Sequence, residues 1–141
     1  MEILRSKKGF ICDMDGVIYH GNQILPGVKE FVEWLYREDK KFLFLTNSSH
    51  RSPKELQQKL YRMGLDVDES HFYTSALATA EFLKSQSPNC SAYVVGAPGL
   101  YTALYDAGIT FNDVDPEYVV VGENDNYNFE NMVTAVRLIE K

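Results

Sequence analysis

Two short polar segments have the residue types that could perform chemistry: Asp13-Met14-Asp15-Gly16 and Thr46-Asn47-Ser48-Ser49. Two neighbouring carboxylates repel each other, so they are suited to holding a hard divalent cation or to dividing the roles of acid and nucleophile. Hydroxyl and amide side chains, with backbone N–H groups, can donate to phosphate oxygens, but the same residues are ordinary helix caps. For the acidic segment alone, a solvated turn is the simpler interpretation.

The elements that must position these segments are strands alternating with helices. Each segment ends a short apolar run, at 10–13 and at 42–46, bounded by polar turns as in strands buried on both faces. Three more apolar runs, at 72–74, 92–96 and 118–122, predict further strands. Helical spacing between the runs is shown by Val28, Phe31, Val32 and Leu35, and by Leu100, Ala103, Leu104 and Ala107.

Helix boundaries are marked in several places. Ser52 can cap a helix near 53–63, where Pro53 suits the first position, Glu55 completes a capping box and Gly64 ends the helix. Gly108 is placed to end the helix over 100–107 in the same way.

The alternation predicts an α/β fold with parallel strands joined by right-handed crossovers. No tight-hairpin signal such as Asn-Gly joins two strands, since Gly21-Asn22 has the reverse order and no clear strand follows it. Ligands of open α/β sheets bind outside the carboxyl ends of the strands. If the first two strands are adjacent, the acidic pair and the hydroxyl-amide run converge on one crevice.

Composition narrows the class of protein. The 141 residues carry a formal net charge of −6, so we expect no broad nucleic-acid-binding surface, although a small phosphorylated ligand needs only a few local groups. No long apolar stretch follows the basic start, so we predict neither a signal peptide nor a membrane span, and a cytoplasmic location.

The cysteines and histidines predict no further site. Cys12 and Cys90 are too few for a disulfide framework or a zinc site. His20, His50 and His71 lack the paired spacing of metal ligands, and His50 is interpreted as a neighbour of a helix start rather than a catalytic base.

Five blocks, in order across nearly the whole chain, resemble NagD-type phosphatases of the haloacid dehalogenase superfamily. The blocks are FICDMDGVIYHGNQILPG, FLFLTNSSHRSPKEL, FYTSALATAEFL, AYVVGAPGL and YVVVGENDNYNFENM. The resemblance implies a Rossmann-like core with an inserted α/β cap, here divided into 1–86 (the N-terminal part of the core) and 87–141 (part of the cap). The polar stretch 85–89 suits the linker between them.

The resemblance also implies residue roles. Asp13 would be the nucleophile that forms an aspartyl-phosphate, and Asp15 the general acid and then the general base. Mg²⁺ would be held by Asp13 and Asp15, the latter through its backbone carbonyl, while Thr46, Asn47 and Ser48 would bind the phosphoryl group. The implied substrates are small phosphomonoesters: nucleoside monophosphates, sugar phosphates or p-nitrophenyl phosphate.

Parts of the family pattern are absent. No downstream lysine block or acidic block follows, and the apolar helix beginning near Phe129 continues to the chain end. The alternative interpretation is therefore a catalytically incomplete fragment or phosphate-binding module, with the first strand at an open edge of its sheet. A short relative that recruits Lys7 or Lys8 is a further alternative, and a phospho-accepting receiver domain is a remote one. The open edge and the apolar helix would favour a homo-oligomer.

Overall fold

The computed structural model describes residues 2–141. The helices are α1 (Glu2–Arg5), α2 (Val28–Arg37), α3 (Pro53–Arg62), α4 (Ser75–Gln86), α5 (Pro98–Asp106) and α6 (Phe129–Ile139). The strands are β1 (Gly9–Asp13), β2 (Tyr19–His20), β3 (Gln23–Ile24), β4 (Lys41–Thr46), β5 (Phe72–Thr74), β6 (Ser91–Val95), β7 (Thr110–Phe111) and β8 (Tyr118–Val121). The strands predicted from the apolar runs are confirmed, as are the α/β class and the parallel pairing.

The chain divides into two compact units. The first contains the residues up to Thr46 together with Pro53–Tyr73, and the second contains Asn47–Ser52 together with Thr74–Lys141. The polar stretch 85–89 comprises the last two residues of α4 and the turn that leads to β6, and both elements belong to the second unit. The division of core from cap near residue 86 stays a prediction.

The first unit is a β1-β4-β5 sheet with its helices on one face. β1 and β4 are parallel, and the core contains Met14, Ile18, Val32, Leu35, Phe44 and Leu60. α2 and α3 share this core with the alternate β4 residues Phe42 and Phe44, so both helices lie on the same face of the sheet.

The prediction that these strands are buried on both faces is wrong. Within the first unit the opposite face has no helix, so Ile11 stays 71% exposed and Leu43 36% exposed. Two-sided burial would need a strand order that reverses and places a crossover on the second face. Among the described residues β1 lies at the edge of the sheet, as expected from the sequence.

A small hairpin between β1 and α2 corrects a second prediction. β2 and β3 are antiparallel, with Tyr19 opposite Ile24, and Gly21-Asn22 forms the two-residue connection. Gly21 has a φ of 59°, as required of glycine at the first position of a type II′ turn. The order Gly-Asn was therefore a hairpin signal, and two-residue strands are too short to show alternation.

The second unit is built on a β7-β6-β8 sheet in which β6 is central and parallel to both neighbours. α4 and α5 pack against each other, and the core is formed by small and aliphatic side chains, among them Ala76, Ala80, Ala92, Leu100 and Leu104. Gly108 has a φ of 84° after α5, as expected for a helix C-terminus.

The last helix, α6, packs against β6 and β8. It buries Ala135, which is 2% exposed, whereas Phe129 and Val136 of the apolar stripe are 85% and 52% exposed. In residues 2–141 no helix is both long enough and apolar enough to cross a bilayer.

Candidate active site

Asp13 and Asp15 are both exposed, and the side chain of Met14 between them is buried and anchors the segment. Asp13 is the last residue of β1, and Asp15 follows it after Met14, which is fully buried in the core of the first unit. This alternation is that of extended backbone, in which every second side chain points to the same side. The backbone N–H of Met14 donates to Oδ1 of Asp13 at 2.8 Å, which fixes one carboxylate oxygen.

A tight loop after Asp15 keeps the acidic segment in place. The Met14 carbonyl accepts from the N–H of Ile18 at 2.8 Å, and the Gly16 N–H donates to the Tyr19 carbonyl at 2.8 Å. Gly16 has a φ of 75°, a conformation that a residue with a Cβ rarely adopts. The turn at Gly16 connects the acids directly to the β2–β3 hairpin.

Thr46 lies at the same edge of the sheet as Asp13. The β1–β4 register pairs Asp13 with Leu45, so Thr46 is one residue beyond Asp13 along the neighbouring strand. Thr46 is buried, with 8% of its surface exposed. The strand adjacency on which the crevice prediction depends is therefore present for β1 and β4.

Among residues 2–141 neither carboxyl group of the acidic segment, Asp13 or Asp15, forms an ion pair. The neighbouring Cys12 does not supply a competing nucleophile, because burial raises the pKa of its thiol and so disfavours the thiolate.

Asn47 and Ser48 belong to the second unit. Asn47 is exposed and lines a cleft of about 350 Å³ together with Ser75, Thr79 and Tyr127. The Ser48 hydroxyl donates to Oε2 of Glu123 at 2.5 Å and accepts from the His50 N–H at 3.2 Å. The Ser48 hydroxyl is therefore engaged within the second unit.

Two acidic residues that the sequence analysis did not select contact this segment. Glu123 bonds to Ser48, and Oδ2 of Asp125 lies 2.8 Å from Nε2 of His50. Both follow the carboxyl end of β8, the region where ligands of α/β sheets bind, but an acidic loop at such a place is common and does not by itself single them out.

Comparison with known proteins gives the family. The family model of haloacid dehalogenase-like hydrolases matches residues 10–110. Dihydroxyacetone phosphatase of Corynebacterium glutamicum is 44% identical over 130 residues, which are 92% of this chain and 47% of that protein. Ribonucleotide monophosphatase NagD of Escherichia coli K12 is 41% identical over 94% of this chain and 52% of its own length, and its solved structure has a TM-score of 0.88.

A p-nitrophenyl phosphatase from Archaeoglobus fulgidus has a TM-score of 0.85 at 37% identity, with 95% of this chain and 52% of that chain covered. The chain thus spans about half the length of the relatives that it matches. These matches confirm the resemblance on which the sequence analysis relied. The chain belongs to the haloacid dehalogenase-like hydrolase family.

Proposed function

We propose that this chain carries the nucleophile and part of the phosphate site of a Mg²⁺-dependent phosphomonoester hydrolase. The observation that carries the proposal is the exposed Asp13 carboxylate at the end of β1, beside the strand that ends in Thr46. The names of the relatives, which are phosphatases of a ribonucleotide, a triose and a nitrophenyl ester, support the reaction type.

In the proposed reaction Asp13 attacks the phosphorus atom through Oδ2, because Oδ1 accepts the Met14 N–H. The new bond joins the carboxylate oxygen to phosphorus, and the bond from phosphorus to the alcohol oxygen breaks. Asp15 gives its proton to that leaving oxygen and then takes a proton from the water that hydrolyses the aspartyl-phosphate. The products are an alcohol and inorganic phosphate, and both carboxyl groups return to their starting states.

The acidic segment offers donors that suit Mg²⁺. The Asp13 carboxylate is exposed, and the bridge between Asp15 and Tyr19 uses the Met14 carbonyl and the Gly16 N–H, which leaves the Asp15 carbonyl outside it. Oxygen ligands of this kind, completed by water and substrate phosphate, are what Mg²⁺ prefers. Within residues 2–141 there is no group of three or more His, Cys, Asp or Glu that could hold a metal, so this chain supplies part of the ligand set. When bound, the ion would offset the repulsion between the Asp13 carboxylate and the phosphate.

The phosphoryl group would be bound by Thr46 and by Asn47, its neighbour along the chain. Hydroxyl and amide donors stabilise the charge on the equatorial oxygens during transfer. The Ser48 hydroxyl donates its hydrogen bond to Glu123, so Ser48 would contribute to phosphate binding through its backbone N–H. The proposed substrates are small phosphomonoesters of the kinds named for the relatives, in a cytoplasmic setting.

The test is hydrolysis of p-nitrophenyl phosphate by the 141-residue chain with and without Mg²⁺, combined with rapid acid quenching and intact-mass measurement. We expect a Mg²⁺-dependent increase in mass by one phosphoryl group that is absent in Asp13→Asn and present in Asp66→Asn. Asp66 is an exposed aspartate of the same unit, outside the acidic segment. Equal labelling of Asp13→Asn and the unmodified chain would show that Asp13 is not the nucleophile.

The second candidate is a phosphate-binding module without turnover. It is favoured by the incomplete metal ligand set within residues 2–141 and by coverage of only about half of each relative. Saturable binding of inorganic phosphate that is lost in Asn47→Ala, with no labelling and no hydrolysis, would identify this function instead.

A further inference from the structure

The segment Asn47–Ser52 is held by the loop that follows β8, within the second unit. The Ser48 hydroxyl donates to Glu123 at 2.5 Å, and the Glu123 N–H donates to the Ser49 hydroxyl at 3.2 Å. His50 Nε2 and Asp125 Oδ2 are 2.8 Å apart. Three consecutive side chains of the segment therefore contact one short loop that lies about 75 residues later in the chain.

Close backbone packing limits how far the segment can move. A Cβ added to Gly99, at the start of α5, would lie 2.7 Å from the Arg51 carbonyl carbon and 2.8 Å from the His50 carbonyl oxygen. A Cβ on Gly122 would lie 2.9 Å from the Ser49 hydroxyl oxygen. The Gly99 N–H also donates to the His50 carbonyl at 3.2 Å. The segment is thus packed against glycine backbone on two sides.

Glu123 and Asp125 contact the segment through carboxylates, and a hydrogen bond from a hydroxyl to a carboxylate is stronger and shorter than one to a neutral acceptor. The contact with Glu123 therefore holds the Ser48 side chain in place. An ionised Asp125 can only accept, so the hydrogen of this bond lies on Nε2 of His50, while Nδ1 is buried without a hydrogen-bond partner among residues 2–141. The contact with Asp125 therefore fixes the orientation of the His50 ring.

We propose that Glu123 and Asp125 are positioning residues for the phosphate-binding segment. Glu123 accepts a hydrogen bond from the Ser48 hydroxyl and Asp125 fixes the His50 ring, so that the segment is held in place while the exposed Asn47 side chain remains available to a phosphate oxygen. This inference rests on the proposed function, because it assigns a role in the phosphate site that Asn47 would form.

The experiment uses the 141-residue chain, with inorganic phosphate in the presence of Mg²⁺ as the probe. NMR titration gives the phosphate dissociation constant, and amide hydrogen exchange of His50 and Glu123 reports the anchoring bonds independently of any ligand. The variants are Glu123→Ala, the conservative Glu123→Gln and Asn47→Ala. The control is Glu130→Ala, which changes an exposed glutamate of the same unit on α6.

We expect Glu123→Ala to accelerate exchange at His50 and at the backbone amide of position 123 about tenfold and to weaken phosphate binding about tenfold, the usual effect of losing a hydrogen bond to a charged group. Glu123→Gln, whose amide oxygen can still accept the Ser48 proton, should restore most of both. Asn47→Ala should weaken binding with unchanged exchange, and Glu130→Ala should change neither.

Two results in Glu123→Ala would overturn the positioning role alone. One is unchanged amide exchange, and the other is faster exchange with unchanged phosphate affinity, which would mean that the contact is purely structural. A chain that binds no phosphate, although exchange responds to Glu123→Ala, would overturn the proposed phosphate site and the positioning role with it. Failure of the proposed function is thus recognised by the unmodified chain, and failure of the inference alone by the variants.

Discussion

Replacement of Gly99 by alanine should destabilise the second unit and loosen the segment Asn47–Ser52. The new Cβ would meet two carbonyl carbons and one carbonyl oxygen of His50 and Arg51 at 2.7 to 2.8 Å, where ordinary contacts begin near 3.4 Å. These are backbone atoms of another segment, which cannot rotate away as the end of a side chain would. Overpacking of this kind costs about 1–3 kcal/mol, and the better helix propensity of alanine in α5 offsets at most about 1 kcal/mol of it.

The assay is urea unfolding followed by far-UV circular dichroism. A loss of about 2 kcal/mol at a slope of about 2 kcal/mol/M lowers the midpoint by about 1 M. The matched control is Gly9→Ala in β1, where the added Cβ would lie 3.6 Å from the Lys41 carbonyl oxygen, an ordinary contact. The reasoning is refuted if Gly99→Ala keeps the wild-type midpoint and its amide keeps the exchange protection given by the bond to His50.

Three further predictions concern stability. Leu60→Ala empties a fully buried site in the core of the first unit and should cost about 2–5 kcal/mol in urea unfolding, far more than Leu43→Ala at a side chain 36% exposed. Asn128 caps α6 by accepting the N–H of Glu130 at 2.7 Å, so Asn128→Ala should cost about 1 kcal/mol; an equal midpoint would contradict the capping role. Burial, with a smaller contribution from Glu117, raises the pKa of the Cys90 thiol above its ordinary 9.0. The stability that this gives is present below pH 9 and is lost as the pH rises through the folded-state pKa, so Cys90→Ala should show a shallower decline in alkali.

The strands could be predicted because each is a short apolar run bounded by polar or glycine-containing turns. Asp13 and Thr46 close two such runs, and parallel pairing then brings them to one edge of the sheet without further information. Met14 also follows this logic, since an apolar residue between two acids in extended backbone must point to the opposite side.

The remaining features depend on contacts distant in sequence. Nothing near Ile11 indicates that one face of β1 lacks a helix within its unit, because that follows from the order of strands in the sheet. The roles of Glu123 and Asp125 arise from partners about 75 residues away, and an acidic loop after a strand is by itself ordinary. The Gly21-Asn22 hairpin was local, but strands of two residues carry no periodicity.

The discontinuous second unit has a consequence for the order in which the chain can fold during synthesis. All residues of the first unit have been translated once Tyr73 is added, so its core can form early. The hexapeptide 47–52 emerges before then, yet its partners at Gly99 and 122–125 are translated much later. In a nascent chain the segment 47–52 therefore connects a first unit that is already translated to a second unit that is not, and its contacts with 122–125 can form only after β8 has been added.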